Sequence, residues 1–83
     1  MTNQQALILL VDDEEDLCTL MQMSLAKINI RTHIAHGLEQ AKKLFQQHAY
    51  DACLTDLNLP DGNGLELVQY VSQLYPCTPI AAL

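Results

Sequence analysis

Three carboxylates stand at the ends of two short apolar runs: Asp12 and Asp13 close the run from Ala6 to Val11, and Asp56 closes the run from Ala52 to Thr55. A short apolar run that ends at once in acids reads as a strand buried on both faces, emerging from a parallel sheet at its carboxyl edge. Ligand sites of open α/β sheets lie at that edge. If the two strands are neighbours, three negative charges converge, and such repulsion is tolerated only where a hard divalent cation or a shared proton relieves it. The pattern therefore predicts chemistry as well as a fold.

The rest of the chain supplies the elements such a sheet needs. Leu17, Leu20, Met21, Ser24, Leu25 and Ile28 recur at helical spacing and predict a first helix from about Glu14 to Ile28. Glu14, Glu15 and Asp16 fall in its first turn, where the helix dipole favours negative charge. A solvated helix start would account for the acids from Asp12 to Asp16 by themselves, but it leaves Asp56 unexplained, because a buried strand end disfavours a charged side chain. Ile30, Thr32 and Ile34 alternate with Arg31, His33 and Ala35, the pattern of a half-exposed edge strand that Gly37 ends. Leu38, Ala41, Leu44 and Phe45 mark a second amphipathic helix with Glu39, Lys42 and Lys43 on its outer face.

Tyr50 and Asp51 lead into the third strand. The stretch from Asp56 to Gly64 holds Pro60, two glycines, Asp61 and two asparagines, so it reads as a loop of tight turns. Leu67, Val68, Val71 and Leu74 give a third helix its buried stripe, Tyr75 and Pro76 stop it, and a fourth strand begins over Pro79 to Leu83. Right-handed crossovers then fix the topology. The edge strand lies beside strand 1, and the chain returns over strand 1 to place strand 3 on its other side, giving the order 2-1-3-4. The first helix covers one face and the second and third cover the other. Strands 1 and 3 meet where the winding reverses, which puts Asp12, Asp13 and Asp56 side by side.

Size and charge narrow the function. Eighty-three residues, 49% of them hydrophobic, fit one domain over residues 1–83. Ten acids against four bases give a formal charge of −6, a field that repels nucleic acid and anionic lipid alike. Met1 to Gln5 carries no basic residue, and the apolar run after it is too short for a signal peptide or a membrane span, so the chain reads as cytoplasmic. Cys18, Cys53 and Cys77 are odd in number and widely spaced, which predicts reduced, buried thiols and no disulfide or zinc site. His33 and His36 are expected to point to different faces of a strand and its exit, so they do not form a metal pair.

At Val11-Asp12-Asp13-Glu14, at the strand ending in Asp56, and along Asp56-Leu57-Asn58-Leu59-Pro60-Asp61-Gly62-Asn63-Gly64, the chain resembles the receiver domain of two-component response regulators. That family has a flavodoxin-like, doubly wound α/β fold. The resemblance extends to the strand-helix order of the whole chain, and is nearest to receivers of transcription regulators of the nitrogen-regulator class. It implies that Asp56 accepts a phosphoryl group from a phosphohistidine of a partner sensor histidine kinase. It also implies Mg²⁺ held by Asp13, Asp56 and the backbone carbonyl of Asn58, with Asp12 acting through water, and an Asn58 side chain that tunes hydrolysis of the acyl phosphate. Such a domain is a signalling module that assists its own phosphotransfer and dephosphorylation, and is not an enzyme in the ordinary sense.

Aspartyl-phosphate hydrolases also use a strand-terminal Asp, but want a second acid two residues later, where this chain has Asn58. The alternative within the fold is a receiver-like protein-interaction module that takes no phosphoryl group. Relative to the family, the sequence ends before the switch Ser or Thr, the pairing Lys, the final strand and the last two helices. A single helix on one face and an open edge at the fourth strand then predict exposed apolar surface and self-association, with a homodimer as one outcome. Sedimentation of the 83-residue polypeptide should show association or loose folding, whereas a monomer with a cooperative thermal transition would contradict this expectation.

Overall fold

The computed structural model describes residues 5–83, so the polar start at Met1 to Gln4 lies outside the described residues. The elements follow in the order β1 (Ala6–Val11), α1 (Glu15–Lys27), β2 (Ile30–Ala35), α2 (Leu38–Gln47), β3 (Ala52–Thr55), β4 (Asn58–Leu59), β5 (Gly62–Asn63), α3 (Gly64–Leu74) and β6 (Ile80–Ala82). The main sheet is parallel throughout and runs β2-β1-β3-β6, the expected order with β6 as its fourth strand. Register decides where the site forms. Val11 pairs with Ala35 on one side and with Thr55 on the other, so β1, β2 and β3 end level. The next residue of each strand, Asp12, His36 or Asp56, therefore leaves the sheet at one edge.

Alternation along β1 and β3 divides the interior in two. Leu9, Val11 and Cys53 meet Leu38, Ala41 and Phe45 of α2 and Leu67 and Val71 of α3 in one continuous core. On the opposite face Leu10 and Cys18 are buried together with Thr32. That side is thinly covered: Leu20, Met23 and Ile28 are 63%, 58% and 66% exposed, and of the whole α1 helix only Cys18 is fully buried. The stripe read from Leu17 to Ile28 is thus helical but largely solvent-facing.

Three other expectations need correction. Leu74 is exposed, because the buried face of α3 advances by whole turns from Leu67 to Val71 to Tyr75, and it is Tyr75 that packs on the core, its ring 5.2 Å from that of Phe45. The stretch after Asp56 holds a small antiparallel ladder, Asn58 with Asn63 and Leu59 with Gly62, too short to show as an alternating pattern. Cys77 is exposed in the turn between α3 and β6, whereas Cys18 and Cys53 are buried as expected.

The thiols should differ accordingly. Burial pushes the Cys53 thiol up to about 12, and burial raises that of Cys18 as well, with the acids from Asp12 to Glu15 adding to the effect. Since the thiolate is the reactive form, a thiol reagent at neutral pH should modify Cys77 rapidly and reach the other two only on unfolding. A second fast-reacting thiol in the native protein would contradict the packing of β3 or α1.

Candidate functional site

Asp12, Asp13 and Asp56 meet at the carboxyl edge, each offering an oxygen such that all three lie within 4.8 Å of one another. Their backbone placements follow from the ladder. The Asp12 N–H donates to Ala35 O at 3.0 Å and the Asp56 N–H donates to Val11 O at 2.8 Å, so each acid continues the hydrogen bonding of its strand by one residue. Asp12 is 5% exposed, Asp56 half-buried and Asp13 open to solvent. The buried member is the one whose charge is least screened by water.

Little in the protein offsets this charge. One Asp12 oxygen accepts from the Glu14 N–H at 3.0 Å, and one Asp56 oxygen accepts from the Asn58 N–H at 3.3 Å. Among the described residues the one ion pair joins Lys42 to Glu39 at 3.9 Å, and neither belongs to the triad. Beside the acids opens a hollow of about 690 Å³ lined by Asp13, Glu14, Glu15, Asp16 and His36. Clustered carboxylate oxygens, one buried and one accessible, with no basic side chain paired to them among the described residues, are the donor set that suits a hard divalent cation. The residues present therefore fit Mg²⁺.

Of the residues singled out from the sequence, the structure brings Asp12, Asp13 and Asp56 together and sets Asn58 at the start of β4, its N–H on Asp56. The two histidines separate as expected. His33 shares a 2.7 Å hydrogen bond with the Tyr50 hydroxyl against the α2 side, whereas His36 donates from Nδ1 to the Asp12 carbonyl at 3.0 Å. The position of His36 at the site's margin was missed, although a residue that directly follows a strand must leave at the carboxyl edge. In the sequence Asp61 reads only as a turn former. Its carboxylate accepts from the N–H groups of Leu38 at 2.7 Å and Glu39 at 3.1 Å, and those bonds hold it below the usual carboxylate range.

The loop returns to its own start. The Gly64 N–H donates to Leu57 O at 2.7 Å, and Asn63 opens α3 with a capping box: its side chain accepts from Leu65 N–H at 2.9 Å while Glu66 reaches back to the Asn63 N–H at 3.3 Å. A Cβ on Gly64 would lie 2.1 Å from the Asp56 carbonyl oxygen and 3.0 Å from Leu57 Cα, both backbone atoms that cannot swing aside. Gly64→Ala should therefore displace Asp56 and cost about 1–3 kcal/mol of stability. Denaturant unfolding together with the amide signal of Asp56 checks this, and a variant with wild-type stability and an unmoved Asp56 signal would show that the approach is looser than described.

Comparison with known proteins agrees with this geometry. The family model described as the response regulator receiver domain matches residues 8–83. The chain is 43% identical over 83 residues to the response regulator protein PilR of Pseudomonas aeruginosa, covering all of this chain and 18% of that protein. It is 36% identical over 81 residues to the autoinducer 1 sensor kinase/phosphatase LuxN of Vibrio harveyi, covering 98% of this chain and 10% of the relative. The solved receiver domain of HemR from Leptospira biflexa superposes with a TM-score of 0.88 at 31% identity, over 94% of this chain and 63% of that one. The chain thus spans a small part of the curated relatives it matches. With its sheet order, its strand-end acids and these likenesses in agreement, the chain belongs to the response regulator receiver domain family.

Proposed function

We propose that this receiver takes a phosphoryl group from the phosphohistidine of a sensor histidine kinase onto Asp56, in a reaction that depends on Mg²⁺. The single observation that carries the proposal is the meeting of three carboxylate oxygens within 4.8 Å at the end of a parallel sheet, with no cationic partner among the described residues. In the transfer, an Asp56 oxygen forms a bond to phosphorus as the phosphorus–nitrogen bond breaks, and the histidine leaves. The Asn58 N–H holds one Asp56 oxygen at 3.3 Å, and the Asn58 side chain, two residues beyond the phosphoacceptor, would tune hydrolysis of the acyl phosphate. Asp13, Asp56 and the Asn58 carbonyl would hold the Mg²⁺, with Asp12 acting through water. When bound, the ion neutralises the acids and the phosphoryl oxygens as they approach one another.

Greater identity to the response regulator protein PilR than to the sensor kinase/phosphatase LuxN favours an origin in a response regulator, and the 28% identity to the transcriptional regulatory protein ZraR of Klebsiella oxytoca supports a role in controlling transcription, in a regulator of the nitrogen-regulator class. Among the described residues no helix is long and apolar enough to cross a membrane, and the charge of −6 makes this domain a poor ligand for nucleic acid. We read it as a cytoplasmic signalling module whose partner is the kinase, with the exposed α1 stripe supporting self-association.

Acetyl phosphate with Mg²⁺ should add one phosphoryl group to the chain, and Asp56→Asn should take up none. Isothermal titration should show weak Mg²⁺ binding that Asp13→Ala abolishes. Unchanged Mg²⁺ affinity in Asp13→Ala removes the proposed site, and a wild-type chain that binds Mg²⁺ but never gains a phosphoryl group is instead a receiver-like interaction module.

A further inference from the structure

The loop from Asp56 to Gly64 is firmly held at both ends and weakly held in the middle. At its start Asp56 is tied to Val11, and at its end Gly64 is tied to Leu57 and to the capping box of α3. The tip is a ladder of two residues on each strand. A hairpin that short does not hold its shape alone. Its outward anchor is Asp61, at the turn between β4 and β5, which reaches across to the first turn of α2.

That first turn lacks any local cap. Gly37 precedes α2 and supplies no side chain, so the N–H groups of Leu38 and Glu39 find their acceptor more than twenty residues away in sequence. The fit is close on both sides. A Cβ on Gly37 would meet Asp61 Oδ1 at 2.8 Å, and one on Gly62 would meet the Leu38 side chain at 2.4 Å. Gly62 also has a φ of +152°, which other residues rarely adopt. Two glycines thus allow the loop tip and the helix start to approach.

The same corner holds Asp12. Ala35 O accepts the Asp12 N–H at 3.0 Å, and His36 Nδ1–H donates to Asp12 O at 3.0 Å. Consecutive residues 35–39 therefore touch the Asp12 backbone at one end and the loop carrying Asp56 at the other. We propose that Asp61 is a positioning residue for the phosphoacceptor: by capping α2 from the loop tip, it steadies the β4–β5 ladder that carries Asn58, whose N–H holds one Asp56 oxygen at 3.3 Å, and so orients the Asp56 carboxylate toward the Asp12–Asp13 pair. The proposal rests on the phosphoacceptor reading of Asp56, and deepens it. Asp61 touches neither the metal nor the phosphoryl group.

The test compares Asp61→Ala, Asp61→Asn and Lys43→Gly in the intact chain. Lys43 is exposed on α2 away from the loop, so its replacement weakens the helix without releasing the tip. Asp61→Ala should lower Mg²⁺ affinity and the rate of phosphorylation by acetyl phosphate roughly tenfold, as loss of an outer partner does at metal sites. It should also shift the Asp56 and Asn58 amide signals without added metal. Asp61→Asn, which keeps a side-chain oxygen as acceptor, should recover much of the loss, and Lys43→Gly should leave all three readouts unchanged.

Because the carboxylate of Asp61 is held below its ordinary range, its contribution to the corner is complete above the unfolded value of about 3.9 and fades as pH falls below it. Measurements at neutral pH therefore read the intact contact. Loss of hydrogen-exchange protection at Leu38 and Glu39 in Asp61→Ala, with Mg²⁺ affinity and the Asp56 signal unmoved, would reduce Asp61 to a helix cap and overturn the proposal. If the wild-type chain takes up no phosphoryl group, the phosphoacceptor reading fails instead, and the Mg²⁺ and amide comparisons still decide the role of Asp61.

Discussion

Asp12, Asp13 and Asp56 repel one another, and the surrounding fold holds them together against that repulsion. The constraint begins in the hydrogen-bond ladder: β1, β2 and β3 end level, so the residue after each strand cannot avoid the same edge. It continues in the core, where Leu9, Val11 and Cys53 lock the two acid-bearing strands against α2 and α3. The apolar interior thus supplies the free energy that keeps like charges close. A cation-free site of this kind is a standing cost to stability, and one that a bound divalent ion removes.

The loop after Asp56 turns this static arrangement into a positioned one. Gly64 lets the chain pack directly on the Asp56 carbonyl, Asn63 and Glu66 close the start of α3, and Asp61 fastens the tip to α2. Each contact uses a residue type that the geometry requires: glycine where a Cβ would strike backbone, asparagine where a helix needs an acceptor, and aspartate where two N–H groups must be satisfied from a distance. The site therefore leans on α2 as well as on the strands that carry its acids.

Fold and acids were legible because both follow from short-range rules. Apolar runs that end in carboxylates name the strands and their carboxyl edge, and crossover handedness orders them. What escaped was governed by tertiary partners. The α1 stripe from Leu17 to Ile28 has helical spacing whether or not anything covers it, so spacing alone did not reveal that Leu17, Leu20 and Ile28 face solvent. Leu74 fits a buried stripe equally well as Tyr75, and only the position of Phe45 chooses between them. The cap from Asp61 to Leu38 spans 23 residues, beyond the reach of any local capping pattern. The Asn63–Glu66 box, by contrast, has the local spacing of such a pattern and could have been read from the sequence.

Convergence of the three acids on one divalent ion is best tested by paramagnetic broadening with Mn²⁺, which takes the same hard oxygen donors as Mg²⁺. Substoichiometric Mn²⁺ should first erase the amide signals of Asp12, Asp13, Asp56 and Asn58, and excess Mg²⁺ should restore them. Broadening that starts instead at Glu14, Glu15 and Asp16, or that spreads evenly over the acidic surface, would contradict a single site built from the ends of β1 and β3.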